Sequence, residues 1–398
     1  MKLKKLYVAM AISTLAAPMA GMADDNITSR LAAGKLSGEA FGGYWNTKVD
    51  FDAGSSSESD SSDFTFDRVR LGYEAGVKDD VIFGAELELF PGSESDDALS
   101  GSRFTDLYLQ KNKPNMSKTL GRFKQTFNRE SATELSDNLF TQMAGFTDTD
   151  FDSALGITDP SLADLYRGLL NGADRRIEGG EIKGTQPTGL NYTFAVYKGG
   201  IDSTDGDSDR SFGYAGSVGW QGGDDDIQFG FNAGLFQQQG DESDVGSNVE
   251  NVETMGYRLG GNLTSGIFSG NLYYASNEAE FDFNGSSASD LENTTFGAHA
   301  SFDLGGARRS FDEFNVRQGP SLSGDDWAYE AVLMYRQDSI EQDGSSGDID
   351  FTQWGIGVNA YCSEYTKLYG SYSSLEIDGG GSQKPTVDQF ALGVRFDF

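Results

Sequence analysis

The chain has 398 residues and a net charge of −32, which makes nucleic acid an implausible partner because phosphate binding needs clustered lysine and arginine. It contains 52 Gly, 28 Phe, 17 Tyr and 4 Trp but only 7 Pro and 1 Cys, so a disulfide framework is excluded. Beyond residue 23 no stretch approaches the roughly 18 consecutive apolar residues that a transmembrane helix requires, so helical membrane spans are excluded as well.

The N-terminus predicts an export signal. Three lysines within the first five residues precede the apolar run 6–17, and the small residues Gly21 and Ala23 follow it. That order is typical of a cleaved signal peptide, whose apolar core is too short to span a bilayer. We therefore predict a signal peptide at 1–23.

From about residue 36 onward, apolar residues recur with a period of two, which indicates β-strands. At the C-terminus, Phe390, Leu392 and Phe396 share one face, whereas Gly393 and Arg395 lie on the other. The face rich in large apolar residues opposes a face of small and polar residues, and a soluble barrel would place these two classes the other way round. Together with the export signal, this pattern predicts an antiparallel, up-and-down outer-membrane β-barrel at 36–398 with lipid outside and water inside, preceded by a short periplasmic segment at 24–35.

Sixteen strands are predicted, and short turns alternate with longer polar loops, as in outer-membrane barrels. The segment 305–325 is interpreted as a long periplasmic turn, although a hairpin there would change the strand count. The predicted strands cover residues 36–52, 63–77, 81–90, 103–112, 117–124, 175–185, 189–199, 210–221, 226–239, 251–264, 267–281, 291–304, 326–338, 350–362, 365–378 and 386–398.

The longest connector, residues 125–174, follows the fifth strand. A loop of this length is usually functional, and a barrel of sixteen strands is wide enough to admit it, so we expect it to fold inward and narrow the channel. Its constriction acids are Glu130, Glu134, Asp137, Asp148, Asp150 and Asp152. Asp148, Asp150 and Asp152 are weak candidates for a metal site, since Ser153 stands where a calcium loop needs glycine. No cofactor is predicted.

Charged side chains on the strands are expected to face inward, because Arg or Lys on the lipid face at mid-membrane costs about 2–4 kcal/mol. Basic wall residues opposite the acidic loop would create a transverse field that discriminates solutes by charge. The alternative is that these charges pair only to stabilise the barrel. The predicted pore-lining residues are Arg68, Arg70, Glu74, Glu86, Glu88, Asp106, Arg122, Lys124, Arg258, Glu330, Arg336, Lys367 and Arg395.

Several short motifs, in order along the chain, resemble the phosphate-selective porin (porin O and P type) family of Gram-negative outer-membrane channels. The motifs include Arg68-Val69-Arg70-Leu71-Gly72-Tyr73-Glu74, Gly121-Arg122-Phe123-Lys124-Gln125-Thr126-Phe127, Arg309 to Phe311 ahead of Gly319-Pro320, Trp327-Ala328-Tyr329-Glu330 and Phe396-Asp397-Phe398. The resemblance implies a homotrimeric, sixteen-stranded porin whose third loop folds inward. It also implies that Phe398 is part of the signal for membrane assembly.

The chain departs from this family in its charge, because its loops contain no dense basic set. We therefore expect a porin for small hydrophilic solutes and ions, with anion or phosphate selectivity as an alternative. The expected partners are outer-membrane lipids, lipopolysaccharide and the barrel assembly machinery. Two rival hypotheses are a closed structural or adhesive barrel, and a barrel hydrolase that uses the single histidine, His299. The four tryptophans, Trp45, Trp220, Trp327 and Trp354, are expected to mark interfacial girdles.

Overall fold

The computed structural model describes residues 33–50, 59–78, 80–89, 103–124, 176–198, 212–224, 226–239, 249–283, 286–322, 327–342, 348–363, 365–379 and 384–397. The signal peptide, the loop 125–174 with its six constriction acids and weak metal candidates, and Phe398 lie outside these residues and stay predictions. None of the described residues forms a helix long and apolar enough to cross a membrane.

Sixteen antiparallel strands form one closed barrel, in which each strand pairs with its neighbours along the chain and β1 pairs with β18. The all-β prediction and the strand count are confirmed. The barrel strands are β1 (Lys35–Asp50), β2 (Ser59–Lys78), β3 (Val81–Leu89), β4 (Arg103–Lys113), β5 (Met116–Lys124), β6 (Arg176–Thr185), β7 (Leu190–Tyr197), β8 (Phe212–Gly223), β9 (Ile227–Gln239), β10 (Val249–Ser265), β11 (Phe268–Phe283), β12 (Ser286–Gly305), β15 (Ala328–Gln342), β16 (Ile349–Ser363), β17 (Thr366–Asp378) and β18 (Thr386–Asp397).

The alternation seen in the sequence sorts the side chains onto two faces. Large apolar residues such as Phe194, Leu235 and Phe390 are exposed on the outer face, as a lipid-facing surface requires. The cross-strand partners of outer residues are also outer, because directly paired residues point to the same side of a sheet. Leu392, for example, pairs with Tyr44, and both are exposed.

The inner face is polar but carries local apolar clusters. Phe123 and Ile177 pack with Ala195, Tyr197 and Ala215 on the wall formed by β5 to β8. Small residues on neighbouring strands give these inner rings room. A Cβ atom at Gly213, for example, would lie 2.5 Å from the ring of Tyr197.

The prediction that all four tryptophans form girdles is wrong for Trp45. Its side chain is buried on the inner face, where it stacks on Tyr369 with ring centroids 6.0 Å apart. The register explains this position, because Trp45 has the parity of Glu39, whose carboxylate binds the inward Arg395. Trp220, Trp327 and Trp354 are partly or fully exposed, with Trp354 directed outward beside Tyr372.

The connection between β12 and β15 is the main departure from a plain barrel. It lies at the end of the short turns and contains two short paired strands, β13 (Ala307–Arg308) and β14 (Ser321–Leu322). Between them the chain leaves the rim and contacts inner-face residues of distant strands. We call residues 306–322 the lumenal turn. The sequence predicted a long turn here, but it did not predict that the turn lies inside the barrel.

Candidate functional site

An ion pair anchors the base of the lumenal turn to the barrel wall. Arg309 donates to both carboxylate oxygens of Glu330, from Nε at 2.7 Å and from Nη2 at 2.7 Å. Tyr361 and Asn359 each donate to Glu330 Oε1 at 2.7 Å, so the acid is fully engaged. Both charges of the pair are buried. Such bidentate, charge-assisted contacts fix orientation as well as supplying energy.

The tip of the lumenal turn, residues 311–317, docks against the inner wall formed by β8 to β10. Asn262 Nδ2 donates to Asn315 Oδ1 at 2.8 Å, and Asn315 Nδ2 donates to the carbonyl of Phe231 at 3.4 Å. Gln221 Nε2 donates a hydrogen bond to the carbonyl of Phe311 at 2.9 Å. Asn315 has a φ of 62°, a left-handed conformation that asparagine tolerates better than most residues.

Two glycines of the wall make room for this docking. A Cβ atom at Gly219 would lie 3.0 Å from Asn315 Nδ2, and one at Gly230 would collide with Asn315 Oδ1. Both glycines belong to the inner face, since their neighbours Val218 and Phe231 are exposed outside. The glycine seat (Gly219 and Gly230) therefore lets the Asn315 side chain reach the backbone of the wall.

Within the tip, Asp312 organises a tight turn. Its Oδ1 accepts hydrogen bonds from the backbone N–H groups of Phe314 at 2.8 Å and Val316 at 2.9 Å. Burial raises the pKa of the Asp312 carboxyl above its ordinary value, while these two hydrogen bonds lower it in part. The carboxyl therefore takes up a proton at a higher pH than an exposed aspartate would.

Two cations flank the aromatic residues of the tip. Lys183 Nζ lies over the ring of Phe314, 5.1 Å from its centroid. The guanidinium of Arg317 lies 5.9 Å from the centroid of Phe311 and donates to Asn271. Both contacts place a positive charge against a ring face in the interior of the barrel.

A cavity of about 290 Å³ remains between the tip and the inner wall of β4 to β6. Its lining residues come from both sides. They are Asp106, Tyr108, Gln110, Thr119, Phe123, Lys124, Glu181, Lys183, Asp312, Phe314, Val316, Arg317 and Gln318. The lumenal turn thus leaves a narrowed space on one side of the barrel interior, bordered by charges of both signs.

The inner wall at the junction of β1, β2, β3 and β18 holds a second group of charges. Arg70 lies 3.5 Å from Glu39, 3.6 Å from Glu86 and 3.4 Å from Glu88, and Arg395 lies 2.6 Å from Glu39. Arg70, Glu88 and Arg395 are almost completely buried. Arg70, Glu88 and Arg395 are therefore poorly placed to contact a passing solute, whereas Glu86 stays partly exposed.

The other predicted pore residues divide by accessibility. Glu330 and Lys367 are buried on the inner face, and the side chain of Arg68 lies outside the described residues, although its backbone has the parity of Arg70. Those that keep inner exposure are Glu74, Glu86, Asp106, Arg258 and Arg336. The guanidinium of Arg258 lies 4.2 Å from the centroid of the Tyr273 ring. Arg336 Nε forms an ion pair with Asp338 Oδ2 at 2.6 Å.

The prediction that Arg122 faces the lumen is wrong. Arg122 pairs in register with Leu107 and Glu178, and Leu107 and Leu120 on the same face are 48% and 66% exposed to the outside. Its guanidinium instead lies 3.5 Å from the Glu178 carboxylate. The neighbouring residue Phe123 faces inward instead. The expectation that charged residues face the interior did not predict an aromatic ring at this position. Lys124 has the parity of Arg122, but at the end of β5 it reaches the rim of the cavity.

Cysteine labelling tests this assignment. In a Cys362→Ser background, we expect Asp106→Cys to react with a small water-soluble maleimide in proteoliposomes and Arg122→Cys to react poorly, because lipid covers the outer wall. A lipid-soluble maleimide should reverse the order. The measurement is the fraction labelled by mass spectrometry, and equal labelling of both positions by both reagents would contradict the two-faced wall.

Among the described residues, no group of three or more His, Cys, Asp or Glu side chains is arranged to hold a metal ion. His299 lies on the inner face, edge-on to Tyr273, with ring centroids 6.1 Å apart. Its direct cross-strand neighbours are Asn271 and Met334, neither of which is a nucleophile.

Sequence reasoning missed the lumenal turn as a functional element. One signal was present, since Phe311, Phe314 and Val316 are large apolar residues in a connector where exposed polar residues are usual, and all three are buried. A second signal was the acid Asp312 placed two and four residues before the N–H groups that it binds. The period-two pattern reveals neither of these two signals, because the segment is not a strand.

No family model and no curated protein matches this chain. Its structure is similar to an anion-selective porin from Comamonas acidovorans, with 17% identity, a TM-score of 0.56 and coverage of 92% of this chain and 100% of that one. It is also similar to the outer membrane channel DcaP of Acinetobacter baumannii, with 13% identity, a TM-score of 0.56 and coverage of 92% of this chain and 97% of that one. A third similar structure is the trimer form of OmpT, an outer membrane protein of Vibrio cholerae, with 11% identity, a TM-score of 0.52 and coverage of 92% of this chain and 99% of that one. At these identities the likeness shows the fold alone.

Proposed function

We propose that this chain is a porin, which forms a water-filled channel for passive diffusion of small hydrophilic solutes and ions across the outer membrane of a Gram-negative bacterium. The observation that carries the proposal is the sorting of the barrel wall, with an apolar outer face and a polar, charged inner face. A barrel of sixteen strands is wide enough for an aqueous interior. Two similar structures, an anion-selective porin and an outer membrane channel, support the same function.

In this mechanism the protein does no covalent chemistry. Solutes move down their gradient through the interior, and the wall selects them by size and charge. The lumenal turn reduces the free cross-section on the side of the short turns. Charges of both signs, such as Glu181 and Lys183, border the remaining space, so a solute meets a local field there instead of bulk water.

The rival functions have less support. A hydrolase built on His299 would need an activated nucleophile, but its direct cross-strand neighbours, Asn271 and Met334, cannot serve and the chain has no Gly-x-Ser-x-Gly motif. A closed structural barrel would need an interior packed with side chains throughout, whereas the cavity beside the lumenal turn is lined largely by polar groups. We therefore favour a channel without enzymatic activity.

The same proposal includes a homotrimer. It also includes contacts with outer-membrane lipids and lipopolysaccharide, and insertion by the barrel assembly machinery. The trimer form described for the similar Vibrio cholerae protein supports the trimer. The cleaved signal peptide and the assembly role of Phe398 complete this account of its localisation.

Planar-bilayer recording tests the channel. The purified, refolded chain is expected to give stepwise conductance increases in KCl, because each inserted barrel opens an aqueous path. Heat-denatured protein is the control. Barrels that are inserted, as shown by protection from protease, yet give no current would contradict the proposal. The reversal potential across a KCl gradient then separates a general channel from an anion-selective one.

A further inference from the structure

The cavity beside the lumenal turn has the size of a small-molecule site. Its volume of about 290 Å³ is close to the lower limit of the roughly 300–1,000 Å³ found for ligand pockets. One wall is the tip of the lumenal turn, and the other is the inner face of β4 to β6. The anchor at Arg309 and the glycine seat hold the tip in place, so the cavity is formed before any solute arrives.

Charges of both signs line this cavity in equal number, although the whole chain has a net charge of −32. The acids are Asp106, Glu181 and Asp312, and the bases are Lys183, Arg317 and, at the rim, Lys124. Glu181 and Arg317 are buried, so water screens them less than it screens surface charges. A solute with one net charge gains from half of these groups and is repelled by the other half. A solute with both charges can satisfy both.

The same cavity has an apolar part. Phe123 and Tyr108 line it from the wall, and Phe314 and Val316 line it from the tip. The Lys183 ammonium lies 5.1 Å from the Phe314 ring centroid, which places a base next to the apolar surface. An apolar group that enters the cavity removes these rings from water, while charged groups on the same solute remain within reach of Lys183 and Glu181.

We propose that this cavity is a subsite that selects small zwitterionic solutes with an apolar side chain, of the chemical class of the aromatic α-amino acids. The solute's carboxylate faces Lys183 and Arg317, its ammonium faces Glu181 and Asp106, and its side chain packs on the rings. The inference rests on the proposed channel function and adds a solute class to it.

Three probes with the same phenyl group and different charge test the subsite. They are phenylalanine, a zwitterion at pH 7, phenethylamine, a cation, and 3-phenylpropionate, an anion. Uptake of each radiolabelled probe into proteoliposomes is measured in one KCl buffer. Phenylalanine is expected to enter about fivefold faster than either singly charged probe, the ratio that corresponds to one ion pair of about 1 kcal/mol.

Two charge-removing variants should change this ranking in opposite directions. Glu181→Gln is expected to favour the anion, because a repelling carboxylate is gone. Lys183→Met is expected to favour the cation for the mirror-image reason. Lys118→Met is the matched control, because Lys118 is exposed and pairs with Ile182 on the outer face, and it should leave the ranking unchanged.

The channel and the subsite fail in different ways. If the wild-type barrel conducts KCl but takes up the three probes at equal rates, or if neither variant changes the ranking, the subsite is refuted and the channel stands. If KCl conductance is absent, both are refuted. Far-UV circular dichroism of each variant shows that its barrel is intact, so a changed ranking reflects the cavity.

Discussion

Arg309→Met is expected to destabilise the protein by about 3–5 kcal/mol and to raise its single-channel conductance. The change removes the partner of Glu330, and breaking a buried ion pair from one side leaves an uncompensated charge. It also frees the base of the lumenal turn, which then no longer holds its tip across the interior. Thermal unfolding in detergent measures the first effect, and planar-bilayer recording measures the second.

Two further variants control this experiment. Arg308→Met changes the neighbouring side chain, which is exposed, and should cost less than about 1 kcal/mol. The double variant Arg309→Met/Glu330→Met replaces the pair by apolar groups, and it should recover most of the lost stability but not the original conductance. If Arg309→Met unfolds at the wild-type temperature with wild-type conductance, the anchor has no such role.

Gly230→Leu is expected to undock the tip while the anchor stays intact. A Cβ atom at this position already collides with Asn315 Oδ1 and lies 2.9 Å from the carbonyl of Trp220, so the tip must move away. Overpacking of this kind costs about 1–3 kcal/mol. The expected result is a higher conductance and weaker charge discrimination in probe uptake.

The control for this change is Gly261→Leu. Gly261 pairs with Phe231 on the adjacent strand, faces outward, and a Cβ atom there would meet only the carbonyl of Gly230, at 3.6 Å. It should therefore leave conductance and probe ranking unchanged. Identical conductance in the two variants would show that the glycine seat does not position the lumenal turn.

The barrel itself could be predicted from the sequence because each strand repeats one signal many times. Strands such as β7 alternate without interruption, with Phe194 and Val196 exposed and Ala195 and Tyr197 buried. Errors at strand ends do not change which side a residue faces. The structure accordingly starts β12 at Ser286 where the sequence indicated 291, with no consequence for the fold.

The candidate site was harder to predict for two physical reasons. In β5, Leu120 and Arg122 share one parity and Phe123 has the other, so either Leu120 had to face the interior, or Arg122 had to face outward and Phe123 inward. The cross-strand acid Glu178 decides this conflict, and no period-two pattern reveals it. The docking of Asn315 depends on which inner-wall residues of β9 and β10 the turn reaches, and only the closed barrel defines this.

The wall charges also divide in a way that the sequence did not show. Parity predicts which residues face inward but not which are covered by a partner. Arg70 and Arg395 point inward and are nevertheless buried among acids. Charges beside the cavity, such as Lys183, are the better candidates for contact with solutes.

The pairing of β1 with β18 has a consequence for biogenesis. Arg395 reaches Glu39 across 356 positions of the chain, so the first strand has no partner on one side until the last has been made. During that interval both ends of the growing sheet are open edges, which invite pairing with other chains. Contacts so distant in sequence also form slowly. The unfinished polypeptide is therefore prone to aggregation until its two ends meet.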